Sequence, residues 1–288
     1  MTEFLQQTFN GLSIGSVYVL VGVGLTLVFG ISRIMNYAQG QFLILGTFIG
    51  YALVTVGVPW WLALVVSPLA VGALGAVLYL TMFKRLASDF LATFILTVGL
   101  GIVIQQLIVE IWGPEQRQID SAVTTGSVDI GGVVLTDSRL LIIGACVPLV
   151  GGLFAILGRT DLGRRMRATA ENREVASLMG IDATRTTSVA FWIGSALAGL
   201  AGVLLGILFP FTAFSGNAFL IKGLAVALAG GVGNVTGAVV VGLTLGLVET
   251  YGSAYAVGPE WQDGYAFVLL IGILAWRPTG LFRGTVEI

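Results

Sequence analysis

Two ionisable residues stand alone inside long apolar runs, Lys222 within residues 214–231 and Glu249 within residues 234–254. A charge in hydrocarbon is costly, so it is usually paired or functional. The two lie at similar depth, some eight and five residues from the outer ends of their segments. An ion pair that fixes two helices beside a translocation path is expected; the alternative is that Lys222 snorkels outward and Glu249 is solvated near the interface. Asn36, Gln39 and Gln41 cluster at the start of the second apolar segment, and Asn217 holds the companion position later in the chain. Carboxamides in hydrocarbon need partners, so these four are expected to face protein or a wet cavity and to approach the path from opposite membrane faces. Ordinary polarity at helix ends is the competing reading.

Other chemistry is excluded by what the chain lacks. There is no histidine and one cysteine, Cys146, which removes His-dependent triads, His metal sites, thiolate clusters and an intrachain disulfide. The glycine-rich run 230–237 looks at first like a phosphate cradle. It follows no strand and lacks the Gly-Lys-Ser/Thr ending, so a tight cytoplasmic turn is expected. A net charge of -1 with scattered basic residues offers no basis for binding nucleic acid. Neither a catalytic site nor a bound metal or cofactor is expected.

The elements that hold these residues follow from hydropathy. Of 288 residues, 56% are hydrophobic and 10% charged, against about 45–50% and about 25% in soluble domains. Residues 34–83 carry no charge at all, and one bilayer crossing takes only about 20 residues. The fold class is therefore all-α, a polytopic transmembrane bundle forming a single domain over residues 1–288. Nine segments emerge: 8–30, 34–56, 59–83, 89–112, 139–158, 186–209, 214–231, 234–254 and 259–276. Pro259 and Glu260 suit the opening of the last one, which puts Trp261 and Trp276 near opposite faces. Met1–Glu3 lack the basic start of a cleaved leader and are read as retained. Whether 34–56 and 214–231 cross fully or break halfway is left open by periodicity.

Arginine sets the orientation. The loop 159–185 carries six (Arg159, Arg164, Arg165, Arg167, Arg173, Arg185), whereas the loop 113–138, with Arg139 at its edge, carries two (Arg117, Arg139) beside four acids. The first loop is thus expected in the cytoplasm and the second outside. Nine crossings then put the N-terminus outside and the C-terminus inside, with Arg33, Lys84, Arg85, Arg277 and Arg283 on the cytoplasmic face. The outer loop holds two β-prone runs around Gly131-Gly132, expected as a small hairpin. In the cytoplasmic loop, Leu162, Met166 and Ala170 fall four apart on one helix. A second short helix is expected after Asn172 as N-cap, with Glu174 in its first turn, Gly180 as its stop, and Val175, Leu178 and Met179 on one face. Such a helix can lie on anionic lipid or dock in a partner's groove. Four acids among the six arginines weaken the lipid reading.

Two related halves are also expected. Ile14-Gly15-Ser16 recurs as Ile193-Gly194-Ser195, and Phe42-Leu43-Ile44-Leu45-Gly46 recurs as Phe219-Leu220-Ile221-Lys222-Gly223. Five crossings separate each pair, an odd number, so the repeats would be inverted, as in many transporters. Glycine accounts for 41 residues, and Gly194, Ala198, Gly202 and Gly206 make a small-residue face, as do Gly11 with Gly15 and Gly242 with Gly246. Such faces let membrane helices approach closely, within one subunit or between two.

Over the whole chain the residues resemble the permeases of branched-chain amino acid ABC importers. Asn10-Gly11-Leu12-Ser13-Ile14-Gly15-Ser16 is similar to the family's opening motif, and Met35-Asn36-Tyr37-Ala38-Gln39-Gly40 to its Asn-aromatic-Ala-His-Gly motif. The loop from Gly163 to Met179-Gly180-Ile181 resembles its ATPase-coupling segment, and Lys222, residues 230–237, Glu249 and Arg277-Pro278-Thr279-Gly280-Leu281-Phe282 follow in order. The resemblance implies a permease working with a second permease, two cytoplasmic ATP-binding subunits that bind ATP and Mg, and an extracytoplasmic solute-binding protein. It further implies that Glu171, Asn172, Ala176 and Gly180, flanked by Arg165, Arg167 and Met179, seat in an ATPase groove. A carboxylate at Ala176 is accordingly expected to break that contact. Gln39 stands where the family commonly has His, and related permeases carry urea or short amides. A stand-alone secondary transporter or channel is the alternative of another class.

The orientation is checked with a membrane-impermeant thiol reagent on intact cells. A cysteine introduced at 129 is expected to be labelled and one at 173 to be protected; the reverse pattern inverts the topology.

Overall fold

The computed structural model describes residues 2–86, 89–120, 126–130, 133–256 and 258–282. Its helices are α1 (Thr2–Ser32), α2 (Gln39–Thr55), α3 (Trp60–Leu86, with a π-helical stretch at Tyr79–Phe83) and α4 (Phe90–Trp112). After a hairpin of β1 (Ser127–Ile130) and β2 (Val133–Thr136) come α5 (Asp137–Arg159), α6 (Asp161–Glu171) and α7 (Arg173–Leu178). The chain ends with α8 (Ala183–Leu208), α9 (Gly216–Gly230), α10 (Val235–Tyr255) and α11 (Gln262–Trp276), the last entered through a 3-10 turn at Pro259–Trp261.

Each of the nine apolar segments is one of these helices, but they are not equal. Six are long and apolar enough to cross a membrane, whereas α2, α9 and α11 have 17, 15 and 15 residues. At about 1.5 Å per residue, α2 and α9 fall short of the roughly 30 Å hydrocarbon core. Non-helical chain leads into both, residues 33–38 before α2 and 209–215 before α9. Arg33 marks the first break with φ +57, a left-handed conformation uncommon outside glycine.

The contacts repeat with α1, α2, α3 and α4 replaced by α8, α9, α10 and α11. Helix α1 packs on α10 as α8 packs on α3, α8 on α2 as α1 on α9, and α2 on α4 as α9 on α11. Near the axis of this exchange a Cβ on Gly24 would lie 2.8 Å from the Gly194 carbonyl oxygen, and one on Gly194 would lie 2.8 Å from that of Gly24. The inverted duplication is therefore a property of the packing, not of a few matching letters.

Helices α1 and α8 are buried along most of their length, whereas α3, α4 and α5 expose most of theirs. That is what helices apolar all round do: they fill an interior or face lipid. Glycine makes the interior possible. Gly11 and Gly15 meet Gly246, Leu247, Gly242 and Leu243 across the α1–α10 seam, while Gly202 and Gly206 of α8 press on Leu43 and Thr47 of α2. These small-residue faces join helices of one subunit.

The expected hairpin forms, with Val128 opposite Leu135; its Gly131-Gly132 turn, like Arg283, lies outside the described residues. Gln6 pins the hairpin to α1, its carboxamide donating to Val134 O (2.8 Å) and accepting from Val134 N (2.9 Å). At the opposite end, residues 231–234 make the tight turn expected of the glycine run, with Asn234 Oδ1 accepting from Gly237 N at 2.9 Å. The closing Arg277–Phe282 motif lies against that turn, Leu281 N donating to Ala229 O at 2.8 Å.

Gly246→Leu is expected to remove the folded protein, because its Cβ would fall on Gly11 and Gly15 backbone and overpacking alone costs about 1–3 kcal/mol. Gly99→Leu has open space around it and is expected to stay within about 0.5 kcal/mol. Size-exclusion profiles after graded heating distinguish the two.

Candidate functional site

Lys222 of α9 and Glu249 of α10 are both buried, 6% and 1% exposed. Lys222 Nζ lies 3.2 Å from Glu249 Oε1, with its hydrogen bond directed at Oε2, 3.3 Å away. Tyr18 of α1 closes the group: its hydroxyl donates to Glu249 Oε2 at 2.6 Å and accepts from Lys222 Nζ at 3.1 Å. At the start of α11, Asp263 Oδ1 lies 3.2 Å from Nζ and Gln262 Nε2 donates to Glu249 Oε2 at 3.4 Å. Four helices are thus tied at one point. The two charges are identifiable from sequence; Tyr18, Gln262 and Asp263 are not, because nothing in an apolar helix or a polar helix start says which neighbour it meets.

The carboxamides divide into two uses. Asn36 and Gln39 are consumed in holding the entry to α2: Asn36 Oδ1 accepts from Ala38 N (3.1 Å), Asn36 Nδ2 donates to Gln39 Oε1 (3.3 Å), and Gln39 Nε2 donates to Gly194 O of α8 (2.8 Å). Gln41 Nε2 donates to Gln105 Oε1 of α4 at 3.0 Å. Asn217, in the first turn of α9, is exposed. The starts of α2 and α9 meet: a Cβ on Gly40 would fall on the Gly216 carbonyl, and one on Gly216 would lie 2.7 Å from the Gly40 carbonyl. The polar starts therefore approach one another from opposite ends of the bundle. Among the described residues, no group of three His, Cys, Asp or Glu is arranged to hold a metal ion.

The loop helices sit at the bundle end opposite the hairpin. In α6 the stripe of Leu162, Met166 and Ala170 turns inward, with Met166 buried, while Arg165, Arg167 and Glu171 are exposed. Arg167 donates to Leu157 O and Arg164 pairs with Asp161. Asn172 caps α7, its Oδ1 accepting from Glu174 N (2.9 Å) and Val175 N (3.1 Å), and Gly180 ends it at φ +81. Val175, Leu178 and Met179 are exposed, Leu178 at 87%. Ala176 corrects an expectation. It is 3% exposed and faces the chain's own interior, so it offers no surface to a partner. Spacing placed it on the helix; only packing decides which side of a six-residue helix faces inward.

Residues 7–274 match the family model described as branched-chain amino acid transport system / permease component. The high-affinity branched-chain amino acid transport system permease protein BraD of Pseudomonas aeruginosa is 32% identical, over 99% of this chain and 98% of that protein. The corresponding permease protein LivH of Escherichia coli is also 32% identical, over 99% and 97%. Among solved structures, PsaBC from Streptococcus pneumoniae in complex with Fab shares the fold, with a TM-score of 0.50 at 12% identity over 92% of this chain and 90% of that one.

Lys222→Met leaves Glu249 buried without its cation and is expected to destabilise the protein by about 3–5 kcal/mol, the cost of breaking a buried pair from one side. Glu249→Gln is milder, since Asp263 remains beside Nζ. The double variant recovers at least half of the Lys222→Met loss, read as detergent melting temperature; additive losses would mean that the two charges do not interact.

Proposed function

The chain belongs to the family of branched-chain amino acid transport permease components, and from that premise we propose that it is the membrane subunit of an ATP-driven importer of branched-chain or related amino acids. Its partners in this reading are a second permease, two cytoplasmic ATP-binding subunits where ATP and Mg are bound and hydrolysis occurs, and an extracytoplasmic solute-binding protein. The observation that carries the docking is α7. A capped helix that holds Val175, Leu178 and Met179 out in the open has an apolar face that none of the described residues covers. A short amphipathic helix offered this way suits a groove on another protein. In this reading the loop-helix end is cytoplasmic and the hairpin end is outside.

Gln39 does not favour the urea or short-amide alternative. Its carboxamide is spent on Asn36 and on the Gly194 carbonyl, which makes position 39 a tie between α2 and α8 rather than a contact for solute. A channel or secondary transporter would leave the exposed face of α7 without a purpose.

Two substitutions on the same short helix separate docking from folding. Leu178→Asp removes an apolar contact worth about 1.5–3 kcal/mol when buried and adds a carboxylate to desolvate. The ATP-binding subunits are expected to bind it at least about a hundredfold more weakly, at about 1.4 kcal/mol per tenfold, while the permease stays folded. Ala176→Asp instead puts a charge into the permease's own core and is expected to lower its melting temperature. Wild-type co-purification and hydrolysis with Leu178→Asp would remove α7 as the docking element.

A further inference from the structure

Helices α2 and α9 begin against each other deep inside the bundle. The Cβ position of Gly101, midway along α4, lies 3.7 Å from Ala38 Cα and 3.6 Å from Gln41 Cγ, which puts the junction at the level of the middle of a full-length span. Each helix start carries partial positive charge from unsatisfied amide groups, roughly half an elementary charge. Neither Ala38 nor Ser215, the flanking residues, caps its helix with a side chain. Two positive ends abutting in low dielectric repel unless negative charge lies beside them.

A second observation points to what lies there. Gln41 is 3% exposed, yet its Oε1 has no hydrogen-bond partner among the described residues. A buried acceptor left this way is unfavourable and calls for an explanation. The carboxamide lies against the first residue of α9, with Gln41 Cδ 3.1 Å from the Cβ position of Gly216. Beside it Asn217 and Ala218 are exposed. A buried acceptor and a helix start without a side-chain cap thus adjoin beside the exposed Asn217 and Ala218.

We propose that this junction is a waypoint for the zwitterionic head of an amino acid, the carboxylate held by the first amide groups of α9 and by Asn217, the ammonium donating to Gln41 Oε1. The two charged groups of an α-amino acid are separated by a single carbon, which matches an acceptor adjoining a cluster of donors. The assignment rests on the reading of the chain as an amino-acid permease. It separates Gln41 and Asn217, which contact solute, from Asn36, Gln39, Lys222 and Glu249, which hold the helices.

The test is uptake of radiolabelled leucine into proteoliposomes carrying the complete transporter with saturating binding protein. Gln41→Leu is expected to lower the turnover of uptake at least about tenfold, the scale of a hydrogen bond to a charged group. The leucine concentration for half-maximal uptake, set by the binding protein, stays constant, and the melting temperature of the complex changes little, because removal of the orphan oxygen offsets loss of the bond from Gln41 Nε2 to Gln105. Asn217→Asp places a competing carboxylate at the start of α9 and is expected to raise the melting temperature while slowing uptake. Wild-type turnover in both variants, or losses that track loss of the folded complex, overturns the waypoint. A wild-type transporter that imports only solutes without a carboxylate would overturn the amino-acid reading and the waypoint with it. Leucine uptake by wild type with indifferent variants removes the waypoint alone.

Discussion

A helix that begins inside a membrane has amide groups that neither water nor its own turns can satisfy, and this constraint organises the molecule. Both α2 and α9 begin that way, so their starts must meet protein or line a wet cavity. The enclosure is built from glycine. Gly40 and Gly216 let the two starts touch, Gly24 and Gly194 bring α1 and α8 together beneath them, and Gly46 presses on Gly199. With side chains at these positions the helices would stand apart and the entry segments would meet lipid.

The two halves solve the same problem with different chemistry. In the first, a neutral relay suffices, Asn36 to Gln39 to the Gly194 carbonyl. In the second, α9 is held by charge, Lys222 between Glu249 and Asp263 with Tyr18 bridging. Breaking such a pair from one side costs more than removing a neutral hydrogen bond. The two repeats therefore share a backbone plan but differ in what ties them, and the charged group links α1, α9, α10 and α11.

The loop helices extend the same logic into water. Helix α6 turns its apolar stripe inward onto the bundle and α7 turns its own outward, with Asn172 serving as the end of one and the cap of the other. Helix α7 is thus joined through α6 to α1, α5 and α8, against which α6 packs.

The amino-acid sequence by itself determined that this is an all-α membrane protein with nine apolar segments, a hairpin near residues 127–136 and a capped helix after Asn172. Those properties are local: hydropathy, β-propensity and capping need only neighbours in the chain. Lys222 and Glu249 were legible as a candidate pair because charge in hydrocarbon is costly, and the structure decided between pairing and snorkelling. Tertiary structure alone decided the rest. That α2 and α9 are short and meet at their starts follows from glycines on other helices, and that Ala176 faces inward while Leu178 faces out follows from what lies beneath α7. Tyr18 joined the charged lock, and Gln39 and Gln41 parted in role, for the same reason. A side chain's partner is set by which helix packs across from it, and no periodicity within a single segment carries that information.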